Sequence, residues 1–208
     1  ITTTVVLNGL RNVKRFRQRE ADIDDAHDIG VAQRHAEPDL KARLKQAIER
    51  RKGIPNAGTD AYRLVHGEAD QLPGLIIDKY GPYLCVQFNT AGIERMRKWV
   101  VNGLIDLLNP SGIVEKNDFE MRKIENMPQK NDALHRSVPA EFIIKENNIR
   151  FKVDLRDGQK TGFYLDQRVN RQRVSGHAEG RNILDCFSYT AAFGINCLKM
   201  KAASVLRL

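Results

Sequence analysis

Cysteine is scarce in this 208-residue chain, which carries only Cys85, Cys186 and Cys197. An odd number without paired metal-type spacing favours a reducing cytosol and argues against zinc. Long apolar runs are also missing, and none approaches the roughly 18 residues of a membrane helix. No charged-then-apolar leader suggests secretion. No stretch repeats internally. The first residue is Ile1 rather than Met, and the chain stops at Leu208. These absences point to a cytoplasmic protein with no membrane and no metal partner, read from a fragment or an incomplete reading frame.

What is present is a surplus of positive charge. The formal net charge is +8 and the pI about 9.5, with 41% hydrophobic residues. That content is compatible with a packed core, and the length with one large or two small domains. The charge suits a polyanionic partner, RNA or DNA, although many ordinary proteins share it.

Residues 1–37 show little apolar periodicity. Ile1–Leu10 fits a strand, Arg11–Arg19 is basic, and Asp22–Asp28 is acidic. A solvated or disordered face accounts for them better than an RNA-contacting arm. A helix is expected to start at Glu37-Pro38-Asp39, with Leu40, Leu44, Ala47 and Ile48 on one stripe. Strands follow at Tyr62–Val65, Leu75–Asp78 and Tyr83–Phe88, the last two joined through Tyr80-Gly81-Pro82. A helix from Gly92 to Leu108 presents Ile93, Met96, Val100, Leu104 and Leu107, and a short strand follows at Ile113–Glu115. Residues 117–137 look charged and mobile. Glu141–Lys145 and Arg150–Val153 flank the turn pair Asn147-Asn148. The fold class expected is an α+β central domain, strand–strand–helix–strand–strand, over residues 38–156.

A second pattern begins at Asp157. Asp166–Ser175 reads as a helix carrying Arg168, Arg171 and Arg173, Asn182–Asp185 as a strand, Ala191–Met200 as a helix, and Ser204 as the start of another strand. A strand ending in an acid, then a turn of small residues, then a helix start can hold a cofactor. The turn lets backbone approach, and the first helical amides face polar groups. Taken alone, Asp185-x-Phe187-x-x-Thr190-Ala191-Ala192-x-Gly194 is a weak signal. Preceded by Lys160-Thr-Gly-Phe-Tyr-Leu-Asp-Gln-Arg168, it becomes much more specific.

The pairing of Gly158–Arg168 with Leu184-Asp-Cys-Phe-Ser-Tyr-Thr190 resembles the RlmI-type class I S-adenosylmethionine-dependent ribosomal RNA (cytosine-C5) methyltransferases. Tyr62–Asp78 is similar to that family's central domain, and the resemblance runs from about Asp39 to Val205. It implies a transferase acting on large-subunit ribosomal RNA in rRNA processing, with S-adenosyl-L-methionine as cofactor. It also implies an architecture. Residues 1–37 would be a poorly defined remnant of an RNA-binding PUA domain. Residues 157–208 would begin an incomplete α/β Rossmann-like cofactor domain. Asp185, Phe187, Ser188, Tyr189, Thr190, Ala192 and Gly194 would surround the methionine end of the cofactor. Lys160, Thr161, Tyr164, Asp166, Gln167 and Arg168 would line the same pocket, with Arg168 gripping the carboxylate. Read without the resemblance, Asp166 and Arg168 are also an ordinary helix-start acid and surface base.

Three departures follow from the same resemblance. Residue 191 is Ala where the family usually has Gly, which costs on the order of 1 kcal/mol if that backbone needs a positive φ. The acid after the second strand, which would hold the cofactor ribose, is not in the sequence, nor is the later substrate-side motif. The family's nucleophilic cysteine, which would attack cytosine C6, lies beyond the C-terminus, so no catalytic residue is assigned. Cys186 and Cys197 are expected in the core, like Cys85. The reading is therefore of a methyltransferase truncated at both ends, with weak or no cofactor binding and no turnover. A half-built sheet would also leave an uncovered apolar face and favour self-association or a homodimer. A non-catalytic RNA-binding module, resting on the +8 charge and on the basic clusters Arg11–Arg19 and Arg168–Arg173, and a gene fragment are the alternatives.

Overall fold

The computed structural model describes residues 26–56, 58–118 and 120–208. The strand expected at Ile1–Leu10 and the basic run Arg11–Arg19 lie outside them. The first helix, α1 (Ala26–Arg50), begins well before Glu37 and runs through Pro38. Proline lacks one donor, and the flanking turns carry the helix across that gap. The helix is held on its C-terminal half, where Leu40, Leu44 and Ala47 are buried.

Three strands form a meander, β1 (Ala61–His66), β2 (Leu75–Tyr80) and β3 (Tyr83–Phe88). The β2–β3 register pairs Tyr80 with Tyr83, so the loop is Gly81-Pro82 alone, with Gly81 at φ 56°. That positive φ is what a two-residue hairpin turn requires. Helices α2 (Ala91–Arg95) and α3 (Arg97–Leu108) then cross to β4 (Gly112–Glu115), which lies parallel to β3.

The stretch expected to be mobile, 117–137, instead holds regular structure among its described residues. It carries the short helix α4 (Met121–Ile124) and the edge strand β5 (Ala133–His135), completing a sheet of order β1-β2-β3-β4-β5. Its organiser is Arg122, fully buried, which donates to the Phe88 and Pro128 carbonyls and pairs with Glu94 at 3.1 Å. Arg97 joins Glu94 and Glu115 in the same network, at 2.6 Å each. A segment ordered by buried polar groups has no apolar period to read.

One sheet face is covered by α1 and α3. There Leu44, Leu64, Ile77, Leu84, Val100 and Leu104 form a closed core. The other face carries Ala61, Tyr80, Cys85 and Val114, and packs against the hairpin β6 (Glu141–Glu146) and β7 (Ile149–Asp154). Asn147 and Asn148, both at positive φ, close that hairpin as expected. Phe163, Leu165 and Ala192 belong to this second core. The segment after β7 is thus pinned to the central sheet rather than hanging from it.

The chain then forms a 3₁₀ turn (Leu165–Gln167), α5 (Arg168–Ser175), β8 (Asn182–Asp185), α6 (Ala192–Lys199) and β9 (Ser204–Arg207). Strands β8 and β9 are parallel, joined through α6. A Cβ at Gly194 would meet Val205 and Asp185, so α6 lies on that face of the pair. Leu184 and Leu206, register partners on the opposite face, are 56% and 63% exposed. Among the described residues, no helix is long and apolar enough to cross a membrane, and no cluster of His, Cys, Asp and Glu has metal-site form.

Candidate functional site

Between the Gln159–Gln167 segment and the β8–α6 turn lies a cavity of about 300 Å³. Its floor comes from local backbone rules. Asp185 ends β8, is 8% exposed, and accepts a hydrogen bond from the Gly194 amide at 2.9 Å. This carboxylate ties the strand end to the first turn of α6, where a negative charge is favourable. The close approach needs Gly194, since a Cβ there would stand 3.0 Å from the same oxygen.

The linking turn is strained. Phe187, Tyr189 and Ala191 have φ of 56°, 47° and 54°, each in the left-handed region that costs a non-glycine residue roughly 1–2 kcal/mol. The doubt about Ala191 is therefore answered by its backbone, which does hold the conformation glycine favours. Lys160, on the facing wall, is left-handed too, with φ 53°. Strained residues thus converge on both walls of one cavity, as they do at ligand sites.

The facing wall begins with a tight loop. A Cβ on Gly158 would sit 2.2 Å from the Asp154 carbonyl, and Gly162 has φ 127°. Only glycines let this loop fold onto β7. Tyr189 bridges the two walls. Its hydroxyl accepts from the Gln159 amide at 3.0 Å, and its ring meets Tyr164 edge-on at 5.8 Å between centroids. The Tyr164 hydroxyl donates to the Gln159 side chain at 2.7 Å. Lys160 lies over the Tyr164 ring and pairs with both Asp166 oxygens, at 2.9 and 3.0 Å. Burial pushes the Asp166 carboxyl up. The Lys160 and Gln167 hydrogen bonds and the Lys160 charge outweigh this, leaving it below the usual carboxylate range.

Most of the residues expected at the site do come together. Lys160, Tyr164, Gln167, Asp185, Phe187, Ser188, Tyr189, Thr190 and Ala192 line the cavity. Asp166 and Gly194 support it from behind, through Lys160 and Asp185.

Two residues stand elsewhere. Thr161 is buried to 1% exposure and donates to Asp78 of the central sheet, so it does not line the cavity. Arg168 opens α5 half-buried and is not on the wall either. The arginine that is on the wall is Arg171, one turn later. It pairs with Glu146 of β6, donates to the Tyr164 carbonyl at 2.9 Å and stacks on Phe163. Grouping Arg168–Arg173 as a basic RNA-contacting cluster therefore fails at Arg171, whose charge is internal. A central-domain glutamate far away in sequence neutralises it, and no local pattern announces that pairing.

Cysteine placement also differs in one case. Cys85 and Cys197 are buried as expected, and burial raises both thiols above their usual range. Cys186 is exposed and lines the cavity. It lies one residue past the end of β8, where the alternation that buries Asp185 no longer applies.

Residues 132–208 match the S-adenosylmethionine-dependent methyltransferase family model. Ribosomal RNA large subunit methyltransferase I of Aeromonas salmonicida is 42% identical over 168 residues, 80% of this chain and 42% of that protein. The protein of the same name from Vibrio cholerae is 38% identical over 79% of this chain and 42% of its own length. A Streptococcus mutans structure assigned as a SAM-dependent methyltransferase superposes with a TM-score of 0.72 at 28% identity, over 82% of this chain and 44% of that one. A second such structure, at 27% identity and the same TM-score, was solved with S-adenosylhomocysteine. The chain spans under half the length of the relatives it matches. It belongs to the S-adenosylmethionine-dependent methyltransferases, in the family of the ribosomal RNA large subunit methyltransferase I proteins.

Proposed function

We propose that the cavity between Lys160–Gln167 and the β8–α6 turn receives the methionine end of S-adenosylmethionine, as part of a methyltransferase acting on large-subunit ribosomal RNA. The carrying observation is the Asp185–Gly194 hydrogen bond with the left-handed turn above it. Together they present backbone amides and one carboxylate to a small zwitterion. Asp185 and the Tyr189 hydroxyl face its ammonium, while Lys160 and the backbone amides of Tyr189, Thr190 and Ala192 face its carboxylate; the Ser188 and Ala191 amides are already given to the Leu208 and Ser188 carbonyls. Lys160 serves here rather than Arg168, because it is on the wall. Tyr164 and Phe193 provide apolar surface that excludes water. When bound, the cofactor's sulfonium supplies the methyl group. This chain's part is to bind and orient.

The test is a titration with S-adenosylhomocysteine followed through the amide resonances of 159–164 and 185–194. Saturable shifts confined to these segments are expected, with weak affinity. Unchanged resonances there at millimolar ligand would sink the reading.

Ribosomal RNA as the partner rests on the relatives' names and on the +8 net charge. Binding of a large-subunit RNA fragment is expected to weaken linearly in log K against log salt. A flat dependence would remove the electrostatic basis. An RNA-binding module without cofactor chemistry would pass this second test and fail the first.

A further inference from the structure

One buried cluster outside the cavity is hydrogen-bonded to the segment that forms its wall. Asp78 and Tyr80, on β2, are fully buried, and Thr161 is 1% exposed. Arg63 of β1 grips Asp78 with two bonds, at 2.9 and 3.0 Å. Thr161 donates its hydroxyl to Asp78 at 2.6 Å. The Tyr80 hydroxyl lies 2.8 Å from the Thr161 oxygen and 3.2 Å from the Phe163 amide.

Proton counting orders these contacts. A carboxylate held by an arginine only accepts. Thr161 must therefore give its one proton to Asp78. Its oxygen can then only accept from Tyr80. Tyr80, its own proton used, accepts from the Phe163 N–H. Burial and the nearby Asp78 charge raise the Tyr80 phenol well above its usual range, so it remains the donor this order requires. The 3.4 Å approach of Tyr80 to the Phe163 carbonyl is left without a proton.

We infer that Asp78 and Tyr80 are positioning residues for the cofactor-facing segment Gln159–Tyr164, acting through Thr161 and the Phe163 amide. The relay fixes the backbone on both sides of Gly162 and so sets Lys160 and Tyr164 on the wall. This makes Thr161 a transmitter rather than a ligand contact. It also makes the central sheet a part of the cofactor site, although its residues are about eighty positions away in sequence. The inference rests on the cofactor reading above, and its test separates the two.

Hydrogen exchange on the 208-residue chain reads the anchor without any ligand. Thr161→Val and Tyr80→Phe keep the packing, and each removes a hydroxyl that makes two of the relay's hydrogen bonds. Amides 159–163 are expected to exchange at least about tenfold faster, the effect of a single lost buried hydrogen bond. Amides of β3 and α3 should keep their protection. Thr161→Ser, which keeps the hydroxyl, restores the slow exchange. S-adenosylhomocysteine affinity, read from the same resonances, should fall in Thr161→Val and Tyr80→Phe and recover in Thr161→Ser. Unchanged exchange at 159–163 overturns the inference. Faster exchange with undiminished affinity overturns it as well, leaving a purely structural network. If the unsubstituted chain shows no ligand shifts, the cofactor reading fails, and with it the inference as a statement about that site. The exchange data then still decide whether the anchor exists.

Discussion

Arg171 and Glu146 meet as a fork and a carboxylate, with both bonds at 2.7 Å and side chains 1% and 0% exposed. This pair joins α5, on the cavity wall, to β6 of the hairpin packed on the central sheet. Removing one partner of such a pair leaves a buried charge uncompensated, which costs about 3–5 kcal/mol. Glu146→Gln is therefore expected to lower unfolding stability by about that amount in urea titration. A change within ±0.5 kcal/mol, the usual range of surface substitutions, would show that the pair is not buried as described. Replacing both partners by apolar residues should cost much less, because no charge is then stranded.

Ala191 holds φ 54° directly before α6. Glycine there would relieve the left-handed strain while adding disorder to the unfolded chain. The strain is the larger of the two, so Ala191→Gly should stabilise by roughly 0.5–1 kcal/mol. Thermal unfolding checks it, and an unchanged or lower Tm would contradict it.

Asp70 is 2% exposed in its side chain. Burial pushes its carboxyl up. The Arg51 hydrogen bond, the His66 amide, the Arg51 charge and Arg50 together pull it below the usual range. A depressed folded pKa gives stability that is complete above the unfolded value of about 3.9 and is lost as pH falls through the folded value. Asp70→Asn should therefore be less stable at neutral pH and respond less to acid below pH about 4. Urea titrations at several pH values decide it: parallel curves for the two proteins would refute the assignment.

What the sequence made legible follows from where apolar periodicity decided the structure. The strands of the meander and the Asn147-Asn148 hairpin appear as expected, because burial and turn chemistry are local. The same holds for Asp185 and the turn after it, where a strand–turn–helix pattern is written in consecutive residues. The Ile93–Leu107 stripe also packs on the core, but on two helices that break at Met96 rather than on the single helix expected over Gly92–Leu108. Three features were not legible. The 117–137 segment is held by Arg122 and its carbonyl partners, and a charged residue in sequence looks solvated until its acceptors are known. Arg171 looked like surface for the same reason. Thr161 looked like a ligand contact because it stands among residues that line the cavity, and only its distance to Asp78 shows otherwise.

Gly194 supplies the last test, since it is where α6, β9 and Asp185 come closest. A Cβ there would lie 2.7 Å from Val205 Cγ1 and 3.0 Å from Asp185 Oδ2. Val205 is β-branched and cannot swing away freely, and Asp185 is tied to the Gly194 amide. Gly194→Ala should therefore force α6 off the β8–β9 pair, at a cost of about 1–3 kcal/mol. Gly53→Ala is the control, because a Cβ at Gly53 meets nothing within 4 Å, and it should stay within ±0.5 kcal/mol. Urea unfolding compares the two. Ligand titration adds the functional half: displacing α6 breaks the Asp185 bond that frames the cavity, so S-adenosylhomocysteine shifts at 185–194 should weaken in Gly194→Ala and persist in Gly53→Ala. Equal stability and equal shifts in both variants would mean that α6 does not pack on β9 as this structure has it.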